Sequence, residues 1–282
     1  MRYFIPGTAL AFLAHATSAA SGTPLHELLE HGRIALHPIG LGGHSGECLR
    51  VDVKNLTSAA VTTAIPAGWV FVSEDPMEQD LIVVREEVIA LAPNGRGTVT
   101  CRAFCTEASK SAPGKDALFR KGHPAPEKLT ILARYVDSLA FEDDLVGAAV
   151  WVLSDGHDIA SMGALDSTKN DVLRELISTL SGQPAPRYTL RYAEDDRMAC
   201  SGRPSTITRT LRFNNAAPQR LTVLVRSDNG RTHHVLHSGT PLVSGSSVIN
   251  LALDVQGWPV GRYAFHVFTT EAEGVRRLPF HL

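Results

Sequence analysis

The sequence predicts a mainly β protein: a β-sandwich with an appended α-helical subdomain of three short helices, followed by a second β-sandwich. Three observations carry this. Apolar residues alternate in short runs between 47 and 105, recur at three- and four-residue steps after Pro124, and alternate again beyond a proline-rich break at 183–187. With 282 residues, 44% of them hydrophobic and 20% charged, the chain has the composition of one or two folded domains, which excludes a disordered, collagen-like or coiled-coil chain.

Residues 1–20 have the layout of a signal peptide: Arg2, an apolar stretch ending near Ala14, then small residues from Ala16 to Ser21. The apolar stretch is about a dozen residues, against the ~20 that a spanning helix needs, so no membrane span is expected. The expected mature chain begins near Ala20 or Ser21 and is secreted, displayed on the cell surface or periplasmic.

The first module takes residues 21–182. Runs at 48–53, 60–65, 81–84, 88–91 and 98–101 read as strands. Ile65-Pro66-Ala67-Gly68 and Ala92-Pro93-Asn94-Gly95 supply turns, with Pro fixing φ and Gly or Asn accepting left-handed backbone. Helices are expected at about 127–140, 143–154 and 168–181, from Leu129, Leu132 and Val136, from the Ala/Val-rich stretch, and from Val172, Leu173, Leu176 and Ile177. Gly182 suits a helix stop. Gln183-Pro184-Ala185-Pro186-Arg187 reads as a linker, because paired prolines break helix. The second module, 188–282, carries strand signals at 221–225, 235–236, 248–253 and 263–268.

Charge divides at the same place. Residues 1–182 carry a net −7 and residues 183–282 a net +5, the latter from 12 Arg, no Lys and 7 acids. The whole chain stands at −2, with no basic excess to neutralise phosphates, so no nucleic-acid partner is expected.

The order strand, Asp228-Asn229-Gly230, strand, Gly245, strand, Gly261-Arg262-Tyr263 resembles the Ig-like fold of flagellar hook-capping proteins. It is also similar to the C-terminal sorting domains of type IX secretion cargo. The resemblance implies an Ig-like sandwich here, and an Ig-like sandwich is expected for the first module as well. Sorting domains close on a Lys-rich tail. This chain keeps Arg276-Arg277 but no lysine, a departure that bears on the export route.

In the first module, Val146-Gly147-Ala148-Ala149-Val150-Trp151 is similar to the Gln-x-Ala-Ile-Trp helix start of bacterial thioester adhesin domains, where the Gln is crosslinked to a Cys. Gly147 stands in the place of that Gln. Glycine has no side-chain carbonyl, so Cys101 or Cys105 cannot form a thioester with it, and the segment reads as an apolar helix with Trp151 in the core.

Cys48, Cys101, Cys105 and Cys200 form an even set, which an oxidising compartment permits to pair. In an extended 99–105 segment Cys101 and Cys105 share a face but lie ~13 Å apart. Cys48 is therefore expected to pair with Cys101 or Cys105, leaving Cys200, alone in the second module, free or buried. The acidic loop Glu74, Asp75, Glu78 and Asp80 is the candidate calcium site, since several carboxylates there could converge on one hard cation. His233, His234 and His237 alternate about a strand and could share a metal only through a bend. Gly43-His44-Ser45-Gly46 lacks the Gly-x-Ser-x-Gly of a nucleophile loop, because Glu47 follows.

Asp155, His157 and Asp158 form the candidate catalytic group, two carboxylates and an imidazole at a helix end. With no complete catalytic set, the expected function is non-catalytic binding, adhesion or structural display, with an extracellular or cell-surface protein or glycan as partner. The alternative is a secreted hydrolase or metal-dependent enzyme built on the 155–158 loop, with the second module for delivery.

Overall fold

A computed structural model describes residues 22–163, 168–193, 203–270 and 276–282. The expected signal segment and Cys200 lie outside the described residues.

The first module opens with α1 (Leu25–Glu30) and β1 (Ile34–Leu41), then β2 (Leu49–Asn55), β3 (Val61–Ile65), β4 (Trp69–Phe71), β5 (Leu81–Val83) and β6 (Glu87–Leu91). It continues through β7 (Arg96–Cys101), β8 (Ala103–Cys105), β9 (Lys115–Leu118) and β10 (His123–Pro124). All ladders are antiparallel. One sheet runs β7-β2-β1-β9, a second β10-β4-β5-β8, and β3 pairs with β6. In β2 the period of two is plain: Leu49, Val51 and Val53 are buried while Arg50, Asp52 and Lys54 point away.

One extended run supplies a strand to each sheet. β7 pairs with β2, placing Cys101 opposite Leu49; after Arg102 the chain passes to the other sheet, where Cys105 lies opposite Leu81. The core between the sheets includes Leu49, Val51, Phe71, Leu81 and Cys101.

Helices α2 (Glu127–Ser138), α3 (Asp143–Ser154) and α4 (Thr168–Ser181), with a 3₁₀ turn at Ile159–Ser161, cover the free face of the β4-β5-β8 sheet. α3 is buried on nearly every side, from Leu145 through Val150, because it lies between that sheet and its helical neighbours. Val70, Ile82 and Phe104 meet Leu132, Val146, Leu173 and Ile177 in this second core.

The second module contains β11 (Thr189–Tyr192), β12 (Pro204–Asn215), β13 (Gln219–Ser227), β14 (Thr232–Leu242), β15 (Gly245–Asp254), β16 (Arg262–Thr269) and β17 (Arg276–His281). They form two antiparallel sheets, β11-β12-β15 and β14-β13-β16-β17, around a third core that includes Ile207, Val223, Leu251, Phe265 and Phe280. Ala160, from the 3₁₀ turn, also joins this core.

The segment expected as a linker is fastened to the helices. Gln183 accepts from Ile159 N (3.1 Å) and donates to His157 O (3.0 Å). Arg174, 2% exposed, donates to Met162 O (2.8 Å), Pro186 O (2.6 Å) and Tyr188 O (3.4 Å).

Candidate functional site

α3 ends at Ser154, whose hydroxyl lies 2.6 Å from Thr106 O and 2.8 Å from Val150 O. The residues that follow diverge. Asp155 Oδ2 accepts from Ala108 N at 3.0 Å, and Asp158 Oδ1 accepts from Ala160 N at 2.7 Å, capping the 3₁₀ turn. The His157 ring turns to aromatic neighbours, 4.6 Å from Tyr192 and 6.3 Å from Trp151 between centroids. Burial lowers the His157 pKa, against the opposing pull of Asp155 and Asp158, so the neutral imidazole is favoured. The catalytic group read from the sequence therefore does not converge: the carboxylates hold backbone amides and the imidazole packs.

The acidic loop is likewise spent on its own chain. Asp75 Oδ1 accepts from Met77 N, Asp80 Oδ1 from Ser73 N and Glu78 Oε1 from Gly114 N, while Glu74 is exposed. Burial raises the Asp80 pKa. At the centre sits Gln79, fully buried, with Oε1 accepting from Glu107 N and Nε2 donating to Lys110 O. Its amide is thus committed to the 107–110 turn. The expected convergence on calcium is not formed, and among the described residues no three His, Cys, Asp or Glu side chains are grouped to hold a metal ion. His233 and His237 are also separately engaged, the first with Ser227 Oγ and the Trp258 ring, the second with Thr240 Oγ1.

The cysteine expectation is corrected too. Cys48, Cys101 and Cys105 are free, buried thiols. The crossing strand places Cys101 in one sheet's ladder and Cys105 in the other's, and Cys48 Sγ donates to the carbonyl of Ala103 between them at 3.3 Å. Burial pushes Cys48 up to about 11 and Cys101 up to about 12, and raises Cys105 as well. All three stay protonated at neutral pH and are poor nucleophiles.

Gly147 lies on α3 where an added Cβ would meet Phe104 Cδ1 at 3.7 Å. Phe104 belongs to the helix-facing core, whereas Cys101 and Cys105 belong to the core between the sheets. The glycine and the thiols therefore face different layers. Trp151 is only half-buried, against the expectation of a core residue, because its ring lies at the rim of the inter-sheet core. Its Nε1 is buried with no partner among the described residues.

What the structure builds around Trp151 is a row of four rings. His44 stacks on Trp151 at 6.5 Å and 27°, His157 meets Trp151 edge-on at 6.3 Å and 66°, and Tyr192 continues the row into β11. The loop joining β1 to β2 carries His44: His44 O accepts from Cys105 N and Gly46 O from Ala103 N, so the loop lies along β8. Gly46 makes this approach possible, with φ at +80° and only 2.8 Å between an added Cβ and Asp143 Oδ2. Arg102 secures the same corner through Asp143 Oδ1 at 2.6 Å. His44 and Tyr192 are not legible as site residues, since the row draws on three separate segments, the β1–β2 loop, the stretch 151–157 and β11, and no local motif marks it.

The fold defines a mainly β protein of antiparallel sheets with short helices. No protein-family model matches the chain, and no curated protein matches it at a significant level. Among the described residues no helix is long and apolar enough to cross a membrane.

Proposed function

We propose that this chain is an exported, non-catalytic binding protein acting in surface attachment or display, with a surface glycan or protein as partner. The observation that carries the reading is the fate of the 155–158 loop. Both carboxylates cap backbone amides and His157 lies in an aromatic row, an arrangement that offers contact area. The signal-like segment supports export, and the residues that follow it suit a start near Ser21. Gly22 packs on β3 so closely that a Cβ would meet Thr62 O, and Thr23 O accepts from Thr63 Oγ1.

Two measurements test this. Intact mass of extracellular protein should show a start near Ala20 or Ser21; retention of Met1 there refutes the export reading. Wild type and His157→Gln should behave alike, with no turnover, on panels of ester, glycoside and peptide substrates. A turnover that the substitution abolishes while the fold is kept would establish the hydrolase instead.

A further inference from the structure

In the second module, Leu221, Val223, Val225, Tyr263, Phe265, Val267, Leu278 and Phe280 turn inward, so their neighbours define the outer face of the β14-β13-β16-β17 sheet. That face carries Arg220, Arg226, Arg262, His266, Arg277 and His281. The register brings them together. Leu224, His266 and Arg277 form one cross-strand row, Arg226, Ala264 and Pro279 the next, and Arg262 and His281 a third. With strands ~4.8 Å apart and same-face residues ~6.7 Å apart along a strand, Arg226, Arg262, His266, Arg277 and His281 are near neighbours, and Arg220 lies ~20 Å further along β13.

We propose that this face is a docking surface for an acidic polysaccharide bearing carboxylate or sulfate groups. The inference rests on the non-catalytic binding reading above and names the class of its ligand. Charge complementarity carries it. Asp228, at the corner, pairs with Arg277 at 2.9 Å, and among the described residues no carboxylate pairs with Arg220, Arg226 or Arg262. Neutral oxygens serve two of these: Gly239 O accepts from Arg220 at 3.0 Å and Thr232 Oγ1 from Arg226 at 3.3 Å. The His266 pKa is lowered first by burial and then by Arg226 and Arg277, as expected in a locally positive field.

Shape adds to charge. A cleft of about 720 Å³ opens at the corner between Tyr188, Asp228, Arg262, Arg277 and His281, roomy enough for sugar units beside the flat sheet. The cations of this module are arginine without a single lysine, and the planar guanidinium fork matches carboxylate and sulfate oxygens two at a time.

The test uses the full mature chain, with dextran sulfate and a polyuronate as probes and neutral dextran as control. Wild type should bind both acidic polymers in a salt-sensitive way and leave neutral dextran unbound. The triple variant Arg226→Gln, Arg262→Gln, Arg277→Gln should keep its melting temperature, since Arg262 and Arg277 are exposed and the partly buried Arg226 gives up only a 3.3 Å bond to Thr232 Oγ1, and lose roughly ten- to a hundredfold in affinity. The matched variant Lys54→Gln, Arg96→Gln, Lys128→Gln removes the same charge from the first module and should bind as wild type does. Absence of binding, equal binding to neutral dextran, equal loss in both triples, or tighter binding to duplex DNA or to anionic-lipid vesicles would each overturn the proposal. Bound polymer that is also cleaved would leave the site standing and remove the non-catalytic reading. No binding together with no turnover would do the reverse.

Discussion

Replacing Arg174 by Met should separate the two halves of the molecule energetically. The guanidinium is 2% exposed and makes two short bonds, to Met162 O at 2.8 Å and Pro186 O at 2.6 Å, plus a longer one to Tyr188 O. Charged hydrogen bonds contribute ~1.5–3 kcal/mol each, so the two short ones amount to ~3–6 kcal/mol. Part of that is offset because burial of the cation is itself costly, which lowers the Arg174 pKa without removing its charge. Met preserves the aliphatic stem, leaving a net loss of about 2–4 kcal/mol. The loss falls on the segment 183–188, which holds one exposed tryptic site, Arg187. Limited trypsinolysis read by mass spectrometry should show cleavage after Arg187 accelerated by roughly 30- to 1000-fold in Arg174→Met, as opening of the strap becomes easier by that amount. Cleavage at the wild-type rate, with an unchanged urea midpoint, would show that Arg174 does not hold the strap.

The thiols give a pH prediction with a definite sign. Their folded pKa values lie above the ordinary 9.0, so stabilisation from keeping them neutral is complete below that value and is lost as pH rises toward about 11 for Cys48 and about 12 for Cys101. The unfolding free energy of the first module, read by urea titration, should fall across that window by up to ~1.4 kcal/mol for each pH unit and thiol, and Cys48→Ala should flatten the slope. Native iodoacetamide labelling at neutral pH should spare Cys48, Cys101 and Cys105; rapid labelling would contradict their burial. Gly147→Ala should raise stability by about 0.5–1 kcal/mol, because alanine favours helix and the nearest atom to its methyl is at 3.7 Å. A lowered melting temperature would mean that the helix needs the glycine.

The sequence was readable where one local pattern settles one element. Alternation in 48–53 and 248–253 marks β2 and β15, and the apolar spacing of 127–140 marks α2. It was unreadable where neighbours from elsewhere decide. β1 carries Pro38 and Gly40 yet pairs with β2 along nearly its whole length. β12 places Arg209 between Ile207 and Leu211 on one face, which disguises its period of two. α1 is a six-residue helix immediately after the signal-like segment, too short to show a period. At the candidate site, chemical type was legible and direction was not: Asp155, His157 and Asp158 adjoin in sequence, but their partners come from Ala108, Tyr192 and Ala160. The arginine face shows the same limit, since its members come from three strands and only the register assembles them.

The passage of one strand between two sheets at Arg102 sets how this region tolerates change. Side chains of 103–105 alternate between layers, Phe104 toward the helices, Ala103 and Cys105 toward the space between the sheets. Adding or deleting a single residue at 102 would invert that alternation, driving the phenyl ring into the thiol layer and the thiol under α3, while also shifting the amides that hold the His44 loop. Substitutions along this run are absorbed one side chain at a time, whereas a change in its length is felt by both sheets, the helical layer and the aromatic row together.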